Sequence, residues 1–244
     1  MIMADIKVIP LKELFRESFS YMCENCRNMV LFSVVHMLFL IAGFEMIDGW
    51  HDVFFLPWLV GYYLFWCFFF RFYFKRKPYL TTVKLFYTLV PSTKMLALTF
   101  LVVTALLMLP LIPPFFGIGS EWANEYTLYL KRYMEDTRVV DGITVVIMTL
   151  TAPLVFYRPM MAWISSLIGR SGSMKSAFAK TRGNYWKMAF LLAMFELLFA
   201  GLTWAGQQMG IGNWLSIAVG SPLVIYLNVI FAKTYDYFFL EIDG

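Results

Sequence analysis

Four polar side chains, His36, Arg158, Glu196 and Asn228, sit inside long apolar runs. An ionisable group in a bilayer is expensive, so each invites a partner or a purpose. Arg158 lies 12 residues before Arg170, while Glu196 and His36 each lie nine residues beyond a basic residue, Lys187 and Arg27. At about 1.5 Å per residue these spacings put Arg158 ~18 Å, and the other two ~14 Å, from their flanking charges. Three of the four side chains then share a level near a membrane midplane, with Asn228 nearer the charged edge. The chemistry expected there is an ion pair between Arg158 and Glu196, with His36 and Asn228 lining the same polar cavity. Pro153 and Pro159 would bend the helix that carries Arg158 and release backbone carbonyls. Such a pair serves either as a packing clamp or as a step on a solute or proton path.

Other reactive spacings are poorer. Cys23 and Cys26 form Cys-Glu-Asn-Cys, but zinc needs four ligands and Cys67 lies on an apolar run. Free thiols are the expectation. Gly169-Arg170-Ser171-Gly172 has the Gly-x-Ser-Gly form of an intramembrane serine nucleophile, which needs a histidine in reach. The chain has two histidines, His36 and His51, and both belong elsewhere. A glycine- and serine-rich turn explains the motif. His51-Asp52 reads as a wet loop. No catalytic set remains, so the expectation is a non-enzyme with no cofactor and no metal.

The positioning elements follow from charge and hydropathy. The chain has 244 residues, 60% hydrophobic, 19% aromatic and only 15% charged, against about 25% charged in a typical soluble domain. Residues 28–44, 53–70, 95–120 and 197–232 carry no charge. A spanning helix needs about 20 mostly apolar residues. The first two stretches fit one span each. Residues 95–120 fit one span broken by Pro110, Pro113 and Pro114. Residues 197–232 are too long for one span and are interrupted by Gln207-Gln208-Met209-Gly210-Ile211-Gly212-Asn213, a tight turn. Six spans result, roughly 29–48, 53–73, 95–116, 143–168, 186–206 and 213–235. The expected fold is all-α, a single integral membrane domain over 1–244.

Lysine and arginine set its orientation. One side carries Lys7, Lys12, Arg16 and Arg27, then Arg71, Lys75, Arg76, Lys77, Lys84 and Lys94, then Arg170, Lys175, Lys180, Arg182 and Lys187, and finally Lys233: 16 of the 20 basic residues. The other side has Lys131, Arg132 and Arg138, offset by five acids in the same loop. The positive-inside rule then puts both termini in the cytoplasm.

The three basic segments resemble one another. Each reads as a short amphipathic helix, a polar elbow and the start of a span. The first carries Leu11, Leu14, Phe15, Phe19 and Met22; the second Tyr79, Val83, Phe86 and Val90; the third Met174, Ala177, Phe178 and Thr181. Phe19, Asn25 and Met29 align without gaps on Phe178, Asn184 and Met188. Three related hairpins are expected, roughly 11–73, 79–168 and 172–235. Arg71, Lys75, Arg76 and Lys77, with Arg182, Asn184, Trp186 and Lys187, are the candidates for holding lipid headgroups, anionic ones at ~1 kcal/mol per charge. The outer loop, 117–142, sets Trp122, Tyr126, Tyr129 and Tyr133 on one helical stripe, a surface for the membrane edge or an envelope partner. The basic residues are spread over three segments, which leaves a nucleic-acid role without support.

Ser173-Met174-Lys175-Ser176, Thr181, Asn184 and the apolar run after them resemble a recurring segment of the YciC-like bacterial inner-membrane proteins. The membrane domain attached to some glycerophosphodiester phosphodiesterases has a similar segment. Upstream, Leu150-Thr151-Ala152-Pro153-Leu154-Val155 is similar to the Ala-Pro turn of the same proteins. The resemblance covers the C-terminal 40% of the chain or so, and implies six helices and a bacterial inner-membrane location. It implies no established activity, and no phosphodiesterase catalytic domain is present. The expected function is lipid handling or an accessory role in an envelope complex; a small-solute or lipid transporter using the midplane cavity is the alternative.

Overall fold

A computed structural model describes residues 8–49, 52–75, 101, 157–168 and 174–240. Among the described residues there are seven α-helices and no strand. They are α1 (Leu11–Glu24), α2 (Cys26–Gly49), α3 (Asp52–Tyr73), α4 (Arg158–Leu167), α5 (Met174–Lys180), α6 (Tyr185–Gln208) and α7 (Trp214–Tyr235). The expected span 95–116 (Leu101 excepted), the second elbow, the outer loop, Arg76, Lys77 and most of span 143–168 lie outside the described residues.

Among the described residues three helices are long and apolar enough to cross a membrane, over Cys26–Gly43, Tyr185–Gln208 and Trp214–Phe239. The expected spans 29–48, 53–73, 186–206 and 213–235 each fall on one helix, α2, α3, α6 and α7, within three residues at either end.

α1 is amphipathic, but its buried face departs from the expected stripe at Phe19, which is exposed. Leu14 and Ser18 are buried, while Lys12, Arg16 and Phe19 are exposed. Asn25 then turns the chain without breaking its hydrogen bonding. Its N–H donates to the Tyr21 carbonyl at 3.0 Å, and its own carbonyl takes the Met29 N–H at 3.0 Å. Met29 is thereby driven into the core. The third elbow does the same: the Asn184 carbonyl takes the Met188 N–H at 3.1 Å, and Met188 is buried.

α7 is the hub, packed against α1, α2 and α6 and touching α3 and α4. Its buried face includes Ile225, Val229, Ile230 and Tyr235. The α6–α7 contact is close because its residues are small. Gly220 lies under the Phe199 ring, and the Thr203 and Ser216 hydroxyls share a hydrogen bond of 2.8 Å. The turn between them uses Gly210 and Gly212 at φ +71° and +55°, which L side chains rarely adopt. α2 and α3 are joined by aromatic packing. The Trp58 indole donates to the Phe39 carbonyl at 2.9 Å and lies against Gly43, while Phe32 packs edge-on to Phe65 and Phe69. Phe70 and Trp163 connect α3 to α4. Past Tyr235 the chain continues as a π-helical turn, Asp236–Leu240.

The two described hairpins match in dimension. α2 and α6 have 24 residues each, and α3 and α7 have 22 each. The offset that aligns Asn25 with Asn184 also carries both ends of α2 onto both ends of α6. It places buried Ser18 on buried Ala177 and buried His36 on buried Phe195. α3 and α7 both end on a buried tyrosine, Tyr73 and Tyr235.

Candidate functional site

His36 is buried where α2 meets α3 and α7. Its Nδ1 lies 3.1 Å from the Ser221 Oγ and its Nε2 lies 3.0 Å from the Tyr62 hydroxyl. The proton positions follow from counting donors. Ser221 has one hydroxyl proton and donates it to the Ile217 carbonyl at 2.8 Å. Its oxygen must therefore accept from the imidazole, so Nδ1 carries hydrogen and Nε2 accepts from Tyr62. Tyr62, Phe65 and Trp66 surround the ring, with centroids 5.5–6.0 Å away. The result is a polar chain across three helices, enclosed by aromatic faces. Pro222 follows Ser221 directly and lies inside α7, where it removes one backbone donor from the helical ladder.

Asn228 and Arg158, also expected in the midplane group, contact other groups. The Asn228 amide donates to the Val224 carbonyl at 2.9 Å, back along its own helix. Arg158 opens α4, and its guanidinium lies 5.1 Å from the centroid of the Phe178 ring on α5. It thus reaches the third elbow helix, which depth along a straight span does not anticipate. Glu196 lies in the middle of α6, partly exposed.

The elbow residues divide into two groups. Asn184 is buried, and its Oδ1 accepts the Ile9 N–H at 2.8 Å. That bond explains why this asparagine, at the N-cap of α6, makes no side-chain cap. The Lys187 ammonium donates to the Ile9 carbonyl, and the Tyr237 hydroxyl to the Val8 carbonyl at 3.0 Å. Arg71 is also buried and donates to the Leu167 carbonyl at 2.8 Å, at the C-terminus of α4. A cation is favoured there because helix-end carbonyls lack partners. Lys75, Arg182 and Trp186, by contrast, are exposed.

The π-helical turn adds a second polar cluster. The Tyr73 hydroxyl donates to Asp236 at 3.2 Å, and the Tyr21 ring packs tilted against the Tyr73 ring, centroids 4.6 Å apart. Burial, then the Asp236 carboxylate, pushes the Tyr21 hydroxyl up to about 12. Lys180 covers the Phe239 ring at 4.6 Å.

Tyr62, Ser221 and Asp236 were not legible as site residues. Ser221-Pro222 inside an uncharged run was the available signal, since a serine beside a proline marks a helix whose backbone needs a side-chain partner. No local feature signals that the N-terminal Val8–Ile9 segment docks on Asn184. Among the described residues no group of three or more His, Cys, Asp or Glu side chains could hold a metal ion. No family model, curated protein or solved structure matches the chain.

Proposed function

We propose that the chain is a six-span protein of the bacterial inner membrane with both termini in the cytoplasm. In this reading it is YciC-like and non-enzymatic, and it handles lipid or organises an envelope complex. One observation carries the membrane placement. Trp186 at the foot of α6 and Trp204 near its far end are both exposed, at 72% and 64%. They are 18 residues apart, hence ~27 Å, close to the ~30 Å of a hydrocarbon core. Tryptophans favour the two membrane–water boundaries. Phe190, Leu197 and Leu198 between them are also exposed, and acyl chains are the solvent that suits them. The matched hairpins support a repeated architecture of three such units, the middle one over 79–168.

Lipid handling rests on Lys75, Arg182 and Trp186, exposed near the elbow ends of α3 and α6. Their test is native mass spectrometry of gently extracted protein beside a variant with Lys75, Arg182 and Trp186 replaced by serine. The expected result is anionic lipid retained by the native chain and lost from the variant. Equal retention by both would remove the headgroup assignment.

The second reading, a transporter, is favoured by the His36 chain, where polar groups from three helices meet beside Pro222. Proteoliposomes carrying the native protein or His36→Phe would be compared for proton and small-solute flux. Flux that His36→Phe abolishes favours transport; identical, background-level leakage removes it.

A further inference from the structure

A cavity of about 370 Å³ opens beside the first elbow, walled by α1, α2 and α7. Both elbow cysteines line it, as do Met22, Met29 and Met37. Cys23 and Cys26 are free and exposed. Asn25 ends α1 and turns the chain into α2, so the elbow brings residues from the end of one helix and the start of the next to one cavity. Met22 and Cys23 come from the end of α1, and Cys26 and Met29 from the start of α2, and all four line the cavity wall. Met37 lies eight residues beyond Met29, hence ~12 Å farther along α2, too far to share a metal with the thiols.

We propose that Met22, Cys23, Cys26 and Met29 form a binding site for a soft monovalent metal ion, copper(I) being the natural example. The reasoning is one of ligand type. Among the described residues no histidine or carboxylate lines the cavity. Zinc, which takes four ligands of nitrogen, thiolate or carboxylate type, is not provided for. Two thiols with two thioethers are soft donors that suit copper(I), and the thioethers lie outside the usual zinc ligand set. Met22 and Met29 line the cavity beside Cys-Glu-Asn-Cys and supply the two ligands the motif lacks.

Binding is a proton exchange without redox change. Each thiol gives up its proton, two S–Cu bonds form, and the metal remains copper(I). The dithiolate complex carries one net negative charge, and Arg27 is the adjacent basic residue. The Glu24 carboxylate accepts a hydrogen bond from Ser20 at 2.9 Å, one turn back along α1. The site is independent of whether the chain handles lipid or transports a solute.

The test uses the full chain in detergent, reduced and oxygen-free, titrated with copper(I) against a competing chelator. The expected result is one equivalent per chain, with a thiolate-to-copper ultraviolet band and an all-sulfur shell by X-ray absorption. Cys23→Ser with Cys26→Ser should abolish uptake. Met29→Leu, which keeps the shape and removes one ligand, should weaken it at least about tenfold, since losing a ligand costs no less than losing a ligand's outer partner. Met37→Leu should leave it unchanged. Both cysteines are exposed, so the serine variant is expected to fold, and circular dichroism checks this. Copper retained by the double serine variant, nitrogen or oxygen in the metal's shell, or zinc binding more tightly than copper would each overturn the site.

Discussion

A buried hydrogen-bonding atom costs the most when its partner is removed. Asn184 and Ser18 make the two sides of that rule visible. Asn184 satisfies the N–H of Ile9, a residue only 1% exposed. Asn184→Ala leaves that donor buried and unpaired, at a cost of about 1–3 kcal/mol. The expected readout is a lower midpoint of thermal unfolding in detergent, with proteolysis beginning at the N-terminal segment. Ser18 is the converse case. It is fully buried against α7 and its hydroxyl has no partner among the described residues. Ser18→Ala removes an unsatisfied group and retains the small volume, and the corresponding position in the third elbow is already Ala177. It should match or exceed native thermal stability. A drop in midpoint comparable to that of Asn184→Ala would show that the Ser18 hydroxyl does have a partner. The ion pair between α7 and α1, Lys233 with Glu17 at 3.5 Å, is partly in water and contributes little.

At the scale of the element, the turn between α6 and α7 is the most constrained piece of backbone. The Ile211 N–H bonds to the Gly206 carbonyl at 3.0 Å, and a Cβ on Gly206 would collide with the Gly212 carbonyl oxygen. A colliding backbone cannot rotate away as a side chain can. Gly206→Ala should therefore cost about 1–3 kcal/mol, as overpacked sites do. Gly201→Ala, with open space around it, should be tolerated. The paired midpoints of thermal unfolding check both. This turn also shows what was legible beforehand. A polar, glycine-rich break inside a 36-residue uncharged run (197–232) locates the hairpin, because no single span is that long. The stripe of α1, Phe19 apart, and the boundaries of α2, α3, α6 and α7 were readable for the same reason: hydropathy and charge act locally. The His36 partners were not. Ser221 lies 185 residues away in sequence, and only the packing of α7 between the hairpins brings it there. From sequence Asn184 reads as a headgroup ligand, because an amide at the foot of a span suits lipid, a cap or a passing backbone equally well. The choice among these is made by Ile9, 175 residues earlier.

Across the whole molecule the chain closes on itself. Its first elbow helix, α1, packs on its last long helix, α7, while the third elbow helix, α5, packs on α4, which precedes it. Each described elbow thus rests on the end of a different unit. The Tyr226 hydroxyl reinforces the closure by donating to the Phe15 carbonyl at 3.0 Å. Such closure constrains topology: if α6 and α7 both span, the two ends of α6 face opposite compartments, and α1 lies on the side of the third elbow. This is testable with a membrane-impermeant thiol reagent. The three native cysteines are replaced, and single cysteines are introduced at Phe19, Arg182 or Gln208, all exposed. Arg182→Cys and Phe19→Cys should react in inside-out vesicles and be protected in right-side-out ones. Gln208→Cys should show the reverse. Only that combination satisfies the basic-residue asymmetry, the tryptophan spacing of α6 and the docking of α1 on α7 together. Labelling of positions 182 and 208 from one side would mean that α6 does not cross. Opposite labelling of 19 and 182 would separate the two elbows, and the hydrogen bond from Ile9 to Asn184 could not form in the membrane.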